Sequence, residues 1–152
     1  MATIHSLELF ISVYTTKNIT ETAKQYYCSQ PSVSRCIKDL EEEYHTVLFE
    51  RYHHKLLATP SADILYTHAL RVLNSYNSLE QAMLTHNEKI RIGSTVTMSN
   101  TLLPKYIQQY SKQYPSIRIE VSVSNGENIY QDLLHNAIDI AFIENMISSS
   151  EV

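Results

Sequence analysis

Ser29-Gln-Pro-Ser-Val-Ser-Arg-Cys-Ile-Lys-Asp-Leu-Glu-Glu-Glu-Tyr44 is the stretch that decides the fold. Ser29 is suited to cap a helix, and Pro31 stands in the first turn, where a missing N–H costs nothing. At a helical turn of about 100° per residue counted from Val33, Ile37 falls near ~40°, Leu40 near ~340° and Tyr44 near ~20°. That is a narrow apolar stripe, and it predicts a helix with one face in a core. The opposite side of its first half carries Pro31, Ser32, Ser34, Arg35 and Lys38, while Glu41, Glu42 and Glu43 collect at the far end. Small side chains let a backbone approach closely, a helix N-terminus attracts phosphate, and an arginine can fork onto guanine O6 and N7. Gln30, where the helix begins, is placed to pair with a base or a phosphate. The asymmetry is what insertion into a DNA groove requires.

The flanking sequence completes a helix-turn-helix over about residues 19–38. Upstream, Leu7, Phe10, Ile11 and Tyr14 form one helical stripe over residues 5–16. Asn18-Ile-Thr-Glu21 reads as a capping-box-like start for a short second helix, with Ala23 and either Tyr26 or Tyr27 turned inward. Downstream, residues 46–59 run through Val47, Leu48 and Phe49 to a polar tip and return through Leu56 and Leu57, which suits a two-stranded wing. The tip, His53-His54-Lys55 with Arg51 beside it, is placed to straddle an adjacent groove or backbone. Residues 2–60 are thus predicted to be a mainly-α winged helix-turn-helix.

Beyond the wing, residues 60–87 predict one long helix. Leu65, Ala69, Val72, Tyr76, Leu79 and Met83 recur at alternating spacings of four and three. A period of about 3.5 favours two helices packed along their length, so a homodimer is expected here. From residue 88 the texture alternates between strands and helices. Strands are expected at residues 89–93, 116–124 and 138–143, and helices at 101–114 and 127–136. Such alternation implies a parallel sheet with right-handed crossovers. The apolar run Ile138-Asp-Ile-Ala-Phe-Ile143 predicts a strand buried on both faces.

Composition bounds the function classes. The chain has 152 residues and a formal net charge of −4, and its first 60 residues hold six basic side chains against seven acidic ones. Bulk charge would not predict a nucleic-acid partner, so the placement of charge must carry the inference. The two cysteines, Cys28 and Cys36, are expected as reduced thiols. The scattered histidines give no metal-ligand spacing, and no cofactor or metal is expected. No apolar run is long enough for a membrane span, and the first residues lack a secretory pattern, so a cytoplasmic location is expected. No nucleophile–base pair and no phosphate-cradling glycine loop is found, so an enzyme is not expected.

Leu7-Glu-Leu-Phe10, Ile19-Thr-Glu-Thr-Ala23, Ser29-Gln-Pro-Ser-Val-Ser-Arg35, Ile37-Lys-Asp-Leu-Glu41, Leu48-Phe-Glu-Arg51 and Thr59 together resemble the DNA-binding domain of the LysR-type transcription regulators. Later segments, Ile90-Arg-Ile-Gly93, Leu102-Leu-Pro-Lys-Tyr-Ile107, Tyr114-Pro-Ser-Ile-Arg-Ile-Glu120 and Ile138 to Ile143, resemble the start of that family's effector domain, a periplasmic-binding-protein-like α/β lobe. The resemblance implies a homodimeric regulator of double-stranded DNA, with the residue 60–87 helix as dimerising linker. It also implies an effector cleft drawing on the loop at residues 94–100 and on Ser124-Asn-Gly126. There Thr95, Thr97 and Ser99 suit a small polar or anionic effector, and each is equally suited to plain helix capping.

The family often has glycine where this chain has Lys17, His45 and Ala62; a left-handed residue is expected at His45. The sequence ends at Val152, near the family's first crossing to a second lobe. Residues 88–152 are therefore expected to be an incomplete lobe without an effector response. A small-molecule-binding α/β module, or a truncated fragment without DNA binding, is the alternative reading.

Overall fold

The computed structural model describes residues 2–53, 55–85 and 89–144. The chain forms two compact units, residues 1–73 and 74–152.

The first unit opens with α1 (Ile4–Thr16), α2 (Ile19–Gln25) and α3 (Gln30–Glu43), followed by β1 (Phe49–Tyr52) and β2 (Lys55–Ala58). Each helix starts on a side-chain cap. Thr3 and Ser6 close a reciprocal capping box on α1. At α2, Asn18 Oδ1 accepts the N–H groups of Thr20 (2.9 Å) and Glu21 (3.2 Å). The Asn18 N–H goes to Thr16 Oγ1 rather than to Glu21, so the expected box is an ordinary cap. Ser29 caps α3 through the Ser32 N–H, with Pro31 in the first turn as predicted.

Phe10, Val13, Ala23, Val33, Ile37, Leu40 and Leu48 are buried together between the three helices and the wing. Tyr44, expected on the same stripe, is 46% exposed because α3 ends at Glu43 and the chain turns there. Of the two tyrosines left open on α2, Tyr26 packs on the core and Tyr27 is solvent-exposed. The wing is antiparallel, pairing Phe49 with Ala58 and Tyr52 with Lys55.

The left-handed residue expected at His45 is present. Tyr27, His45 and Asn136 have φ of 51°, 51° and 56°, and Lys17 has 53°. After α3, the N–H of Thr46 reaches Glu41 O (3.0 Å) and that of His45 points to Glu42 O (3.4 Å). This is a Schellman closure, normally made with glycine. The chain has two glycines, so these turns fall to bulkier residues. Ala62 is not in a turn at all: it is buried in the first turns of α4 (Pro60–Thr85). That helix is capped by Thr59, whose Oγ1 accepts the Ala62 N–H (3.2 Å) and donates to Val47 O (2.7 Å).

The second unit contains the last turns of α4, then β3 (Lys89–Ser94), α5 (Val96–Thr101), α6 (Leu103–Gln113), β4 (Arg118–Val123), α7 (Gly126–Leu134) and β5 (Ile140–Phe142). The sheet is parallel in the order β4-β3-β5. Successive residues of a strand face opposite sides. Ile90 and Ile92 of β3 lie with Leu103 and Ile107 of α6, while Gly93 lies against Ile129 of α7 and Ile138. A Cβ on Gly93 would meet Ile138 Cδ1 at 2.4 Å, so glycine is what lets helix and strand close up here. The loop expected at residues 94–100 is mostly the short helix α5. The strand expected to be buried on both faces is three residues long and stands at an edge of the sheet formed by the described residues, with Ile140 44% exposed.

Candidate nucleic-acid interface

The site is built on α3, whose inner face is fixed by Val33, Ile37 and Leu40, all buried. With that face committed to the core, Gln30, Pro31, Ser32, Ser34, Arg35 and Lys38 are all exposed. Two side-chain contacts hold the helix in place. Glu41 Oε1 accepts the N–H groups of Leu48 (2.7 Å) and Phe49 (3.2 Å), which pins the end of α3 to the start of the wing. In the sequence the acids after Leu40 only collect at the far end of the helix. The signal available for Glu41 was its place in the spaced motif rather than its charge. At the other end, Gln30 Nε2 donates to Thr20 Oγ1 (2.7 Å), which braces the amide across the turn between α2 and α3.

Ser12 and Thr22 share a buried hydroxyl contact of 2.9 Å, and the Ser12 hydroxyl also donates to Gln25 Oε1 (3.1 Å). These bonds satisfy the polar groups where α1 crosses α2, so burial there costs little. The inner edge of α3 faces α1 across a cleft that includes Ser6, Ser32, Arg35, Cys36 and Asp39. Burial, then the Asp39 charge, pushes the Cys36 thiol up, so it is held as the protonated, weakly reactive form.

Arg35 has no ion-pair partner among the described residues. Lys38 pairs with Glu42 at 3.3 Å, both ends well exposed. Such an exposed pair is worth about 0.2–1 kcal/mol, so it holds Lys38 weakly. In the wing, Arg51 and His53 fall beside Lys55 on exposed positions. His54 lies outside the described residues.

The linker positions divide into two groups. Leu65 and Ala69 pack into the core of the first unit. Val72, Tyr76, Leu79 and Met83 are exposed, the last two by 58% and 66%. The sequence pattern could not separate them, because one apolar period runs through both groups.

Of the positions expected to bind an effector, Thr95, Thr97 and Gly126 line one open cleft with Ser124, Glu127 and Glu144. Ser99 is not in it; its hydroxyl donates to Val96 O (2.9 Å). The Glu144 carboxylate accepts from Thr95 and Thr97, and these hydroxyls hold it below the usual carboxylate range. Among the described residues of this cleft the charges are acidic, which the sequence reading missed because Glu144 is 49 residues from Thr95.

The described residues contain no group of three or more histidine, cysteine or acidic side chains that could hold a metal, and no helix among them is long and apolar enough to cross a membrane.

Comparison with known proteins bears on this geometry. Residues 4–63 match the lysR-family bacterial regulatory helix-turn-helix protein, and residues 85–152 match the LysR substrate binding domain. The chain is 33% identical over 150 residues to YeiE, an HTH-type transcriptional regulator of Escherichia coli, covering 99% of this chain and 51% of that protein. It is 31% identical over 150 residues to CysL of Bacillus subtilis, an HTH-type transcriptional regulator, covering 96% of this chain and 50% of that one. The chain therefore spans about half the length of these relatives. Among solved structures, CbnR, a LysR family transcriptional regulator, aligns with a TM-score of 0.71 at 19% identity over 95% of this chain and 51% of its own, a likeness of fold. CrgA of Neisseria meningitidis, a LysR-type transcriptional regulator, aligns with a TM-score of 0.57 at 26% identity over 93% of this chain and 48% of its own.

Proposed function

Because this chain belongs to the LysR-type family of bacterial transcription regulators, we propose that it is a sequence-specific regulator binding double-stranded DNA as a homodimer. The observation that carries the reading is the division of α3. Val33, Ile37 and Leu40 are buried, and every candidate contact from Gln30 to Lys38 is exposed around a helix N-terminus. In this reading Arg35 reads a base edge. Lys38 exchanges Glu42 for a phosphate, and Gln30, braced by Thr20, presents its amide oxygen at the groove wall. Arg51, His53, His54 and Lys55 contact the flanking backbone or minor groove from the wing.

The second α4 helix comes from a partner copy, along Val72, Tyr76, Leu79 and Met83. Leu65 and Ala69, earlier on the same stripe, are taken up by the core of the first unit. The protein works in the cytoplasm, needs no cofactor and catalyses no reaction. A small polar or anionic effector needs the full domain; there it would enter the cleft at Thr95, Thr97 and Gly126, its carboxylate taking the place of Glu144 on the two threonine hydroxyls.

Selection of tight binders from random duplexes, followed by anisotropy titration, tests the proposal. Enrichment of a dyad-symmetric site is expected, with affinity falling steeply as salt rises, since released counterions drive the association. Absence of duplex binding at low salt would leave only a ligand-binding module and would overturn the reading.

A further inference from the structure

We propose that the second unit has an anion-binding cleft at the amino ends of its strands, remote from the threonine cleft. The threonine cleft lies past the carboxyl ends, where α/β sheets ordinarily bind ligands. A cavity of about 470 Å³ opens at the opposite end, between the last turns of α4 and the sheet base. This volume is within the range of small-molecule sites.

The charge arrangement identifies the ligand class. Lys89 begins β3 and Arg118 begins β4, and both reach one carboxylate. Lys89 Nζ lies 2.9 Å from Glu120 Oε2, and Arg118 Nε lies 3.3 Å from Glu120 Oε1. Nearby, Arg91 is fully engaged by Asp139, with its backbone N–H, Nε and guanidinium terminus all donating to that one carboxylate. The arginine–aspartate pair therefore cancels. Among the described residues of the cleft wall, Lys89 and Arg118 share a single counter-charge, which leaves one net positive charge there. Glu120 acts as a tethered anion held below the usual carboxylate range, chiefly by the hydrogen bond from Lys89, with the charges of Lys89, Arg118 and Arg91 adding to it. The Arg118 side chain is 74% exposed and has further N–H groups that match a carboxylate fork. Ala82 and Ile90 supply an apolar wall.

The cleft thus fits a small organic anion: an acidic head on Lys89 and Arg118, and an apolar body against the wall. Such a ligand would touch α4 and two strands together, so its binding would stiffen that junction.

The probe is sodium benzoate with the full chain, followed by calorimetry for affinity and amide NMR shifts for location. Benzyl alcohol and benzylammonium are the neutral and cationic controls. Benzoate alone is expected to bind, moving the amides of Lys89, Ile90 and Arg118 and leaving Thr95 and Gly126 in place. Glu120→Gln removes the tethered competitor and should tighten binding roughly 3–5-fold, the worth of one exposed ion-pair interaction. Arg118→Gln, at an exposed position, should weaken it by a similar factor. A merely structural role for the Lys89–Glu120–Arg118 cluster gives the opposite sign for Glu120→Gln, and that result would overturn the proposal. So would shifts confined to the threonine cleft, equal binding of benzyl alcohol, or no shift at either place.

Discussion

His45→Gly should stabilise the first unit, although it removes a side chain and adds none. His45 sits at φ 51° in the turn that ends α3, and its exposed imidazole makes no hydrogen bond or ion pair among the described residues. An L-residue in the left-handed region costs roughly 1–2 kcal/mol, which glycine does not pay. Glycine gives back about 0.5–1 kcal/mol by freeing the unfolded chain, so the net gain is ~0.5–1 kcal/mol. A unit of this size moves by about 4–8 °C per kcal/mol, so the thermal midpoint should rise by roughly 2–8 °C. Circular dichroism melts of wild type, His45→Gly and His45→Val measure it. Valine, β-branched and poor in this region, should lower the midpoint. Tyr27→Gly repeats the test after α2, where Cys28 N–H to Ala23 O (2.9 Å) closes the same kind of turn. Lys17→Gly should gain less, because the Lys17 ammonium lies 3.6 Å over the Tyr14 ring and that contact is lost. An unchanged or lowered midpoint for both His45→Gly and Tyr27→Gly would refute the reasoning about these helix ends.

Three other outcomes are expected. Tyr14 donates to Asp63 Oδ1 at 2.6 Å, and that bond, with burial, pushes its phenol up to about 12 from an ordinary 10. The folded state therefore favours the protonated phenol: its contribution is complete below about pH 10 and drains as pH rises toward 12. Urea melts across that window should show the loss in wild type and not in Tyr14→Phe, which keeps the stack on Tyr66. Gly93→Ala, which overpacks Ile138 and Ile129, should cost ~1–3 kcal/mol in the second unit, read by hydrogen exchange on β3. Val72→Asp places an unpaired charge in the exposed α4 seam and should give a monomer in light scattering.

The sequence made the first unit legible because its signals are local. Ser29 and Pro31 mark the start of α3, Val33, Ile37 and Leu40 recur at helical spacing, and a polar tip divides the wing. The second unit was less so. α5 buries no residue and has no side-chain cap bond, so nothing in Val96-Thr-Met-Ser-Asn-Thr101 announces a helix. Ile138 to Ile143 read as doubly buried because an apolar run does not say whether both neighbouring strands are present; among the described residues β5 pairs with β3 alone. In the candidate interface, exposure of Arg35 and Lys38 followed from the helical wheel. The brace from Thr20 to Gln30 and the Glu41 tie to the wing did not, nor, in the second unit, did the pairing of Thr95 with Glu144. Each joins groups brought together by tertiary folding, and no periodicity encodes them.

The central claim is that the outer face of α3 reads DNA bases. It is tested most directly by measuring wild type and Arg35→Ala against the selected duplex and all its single-base variants, at one fixed salt concentration. Arg35→Ala should lose ~1–3 kcal/mol on the selected site and flatten base preference at one position of each half-site, whereas Lys55→Ala should weaken all duplexes alike. Arg35→Ala binding the selected site as tightly as wild type, with its base preferences intact, would contradict the account.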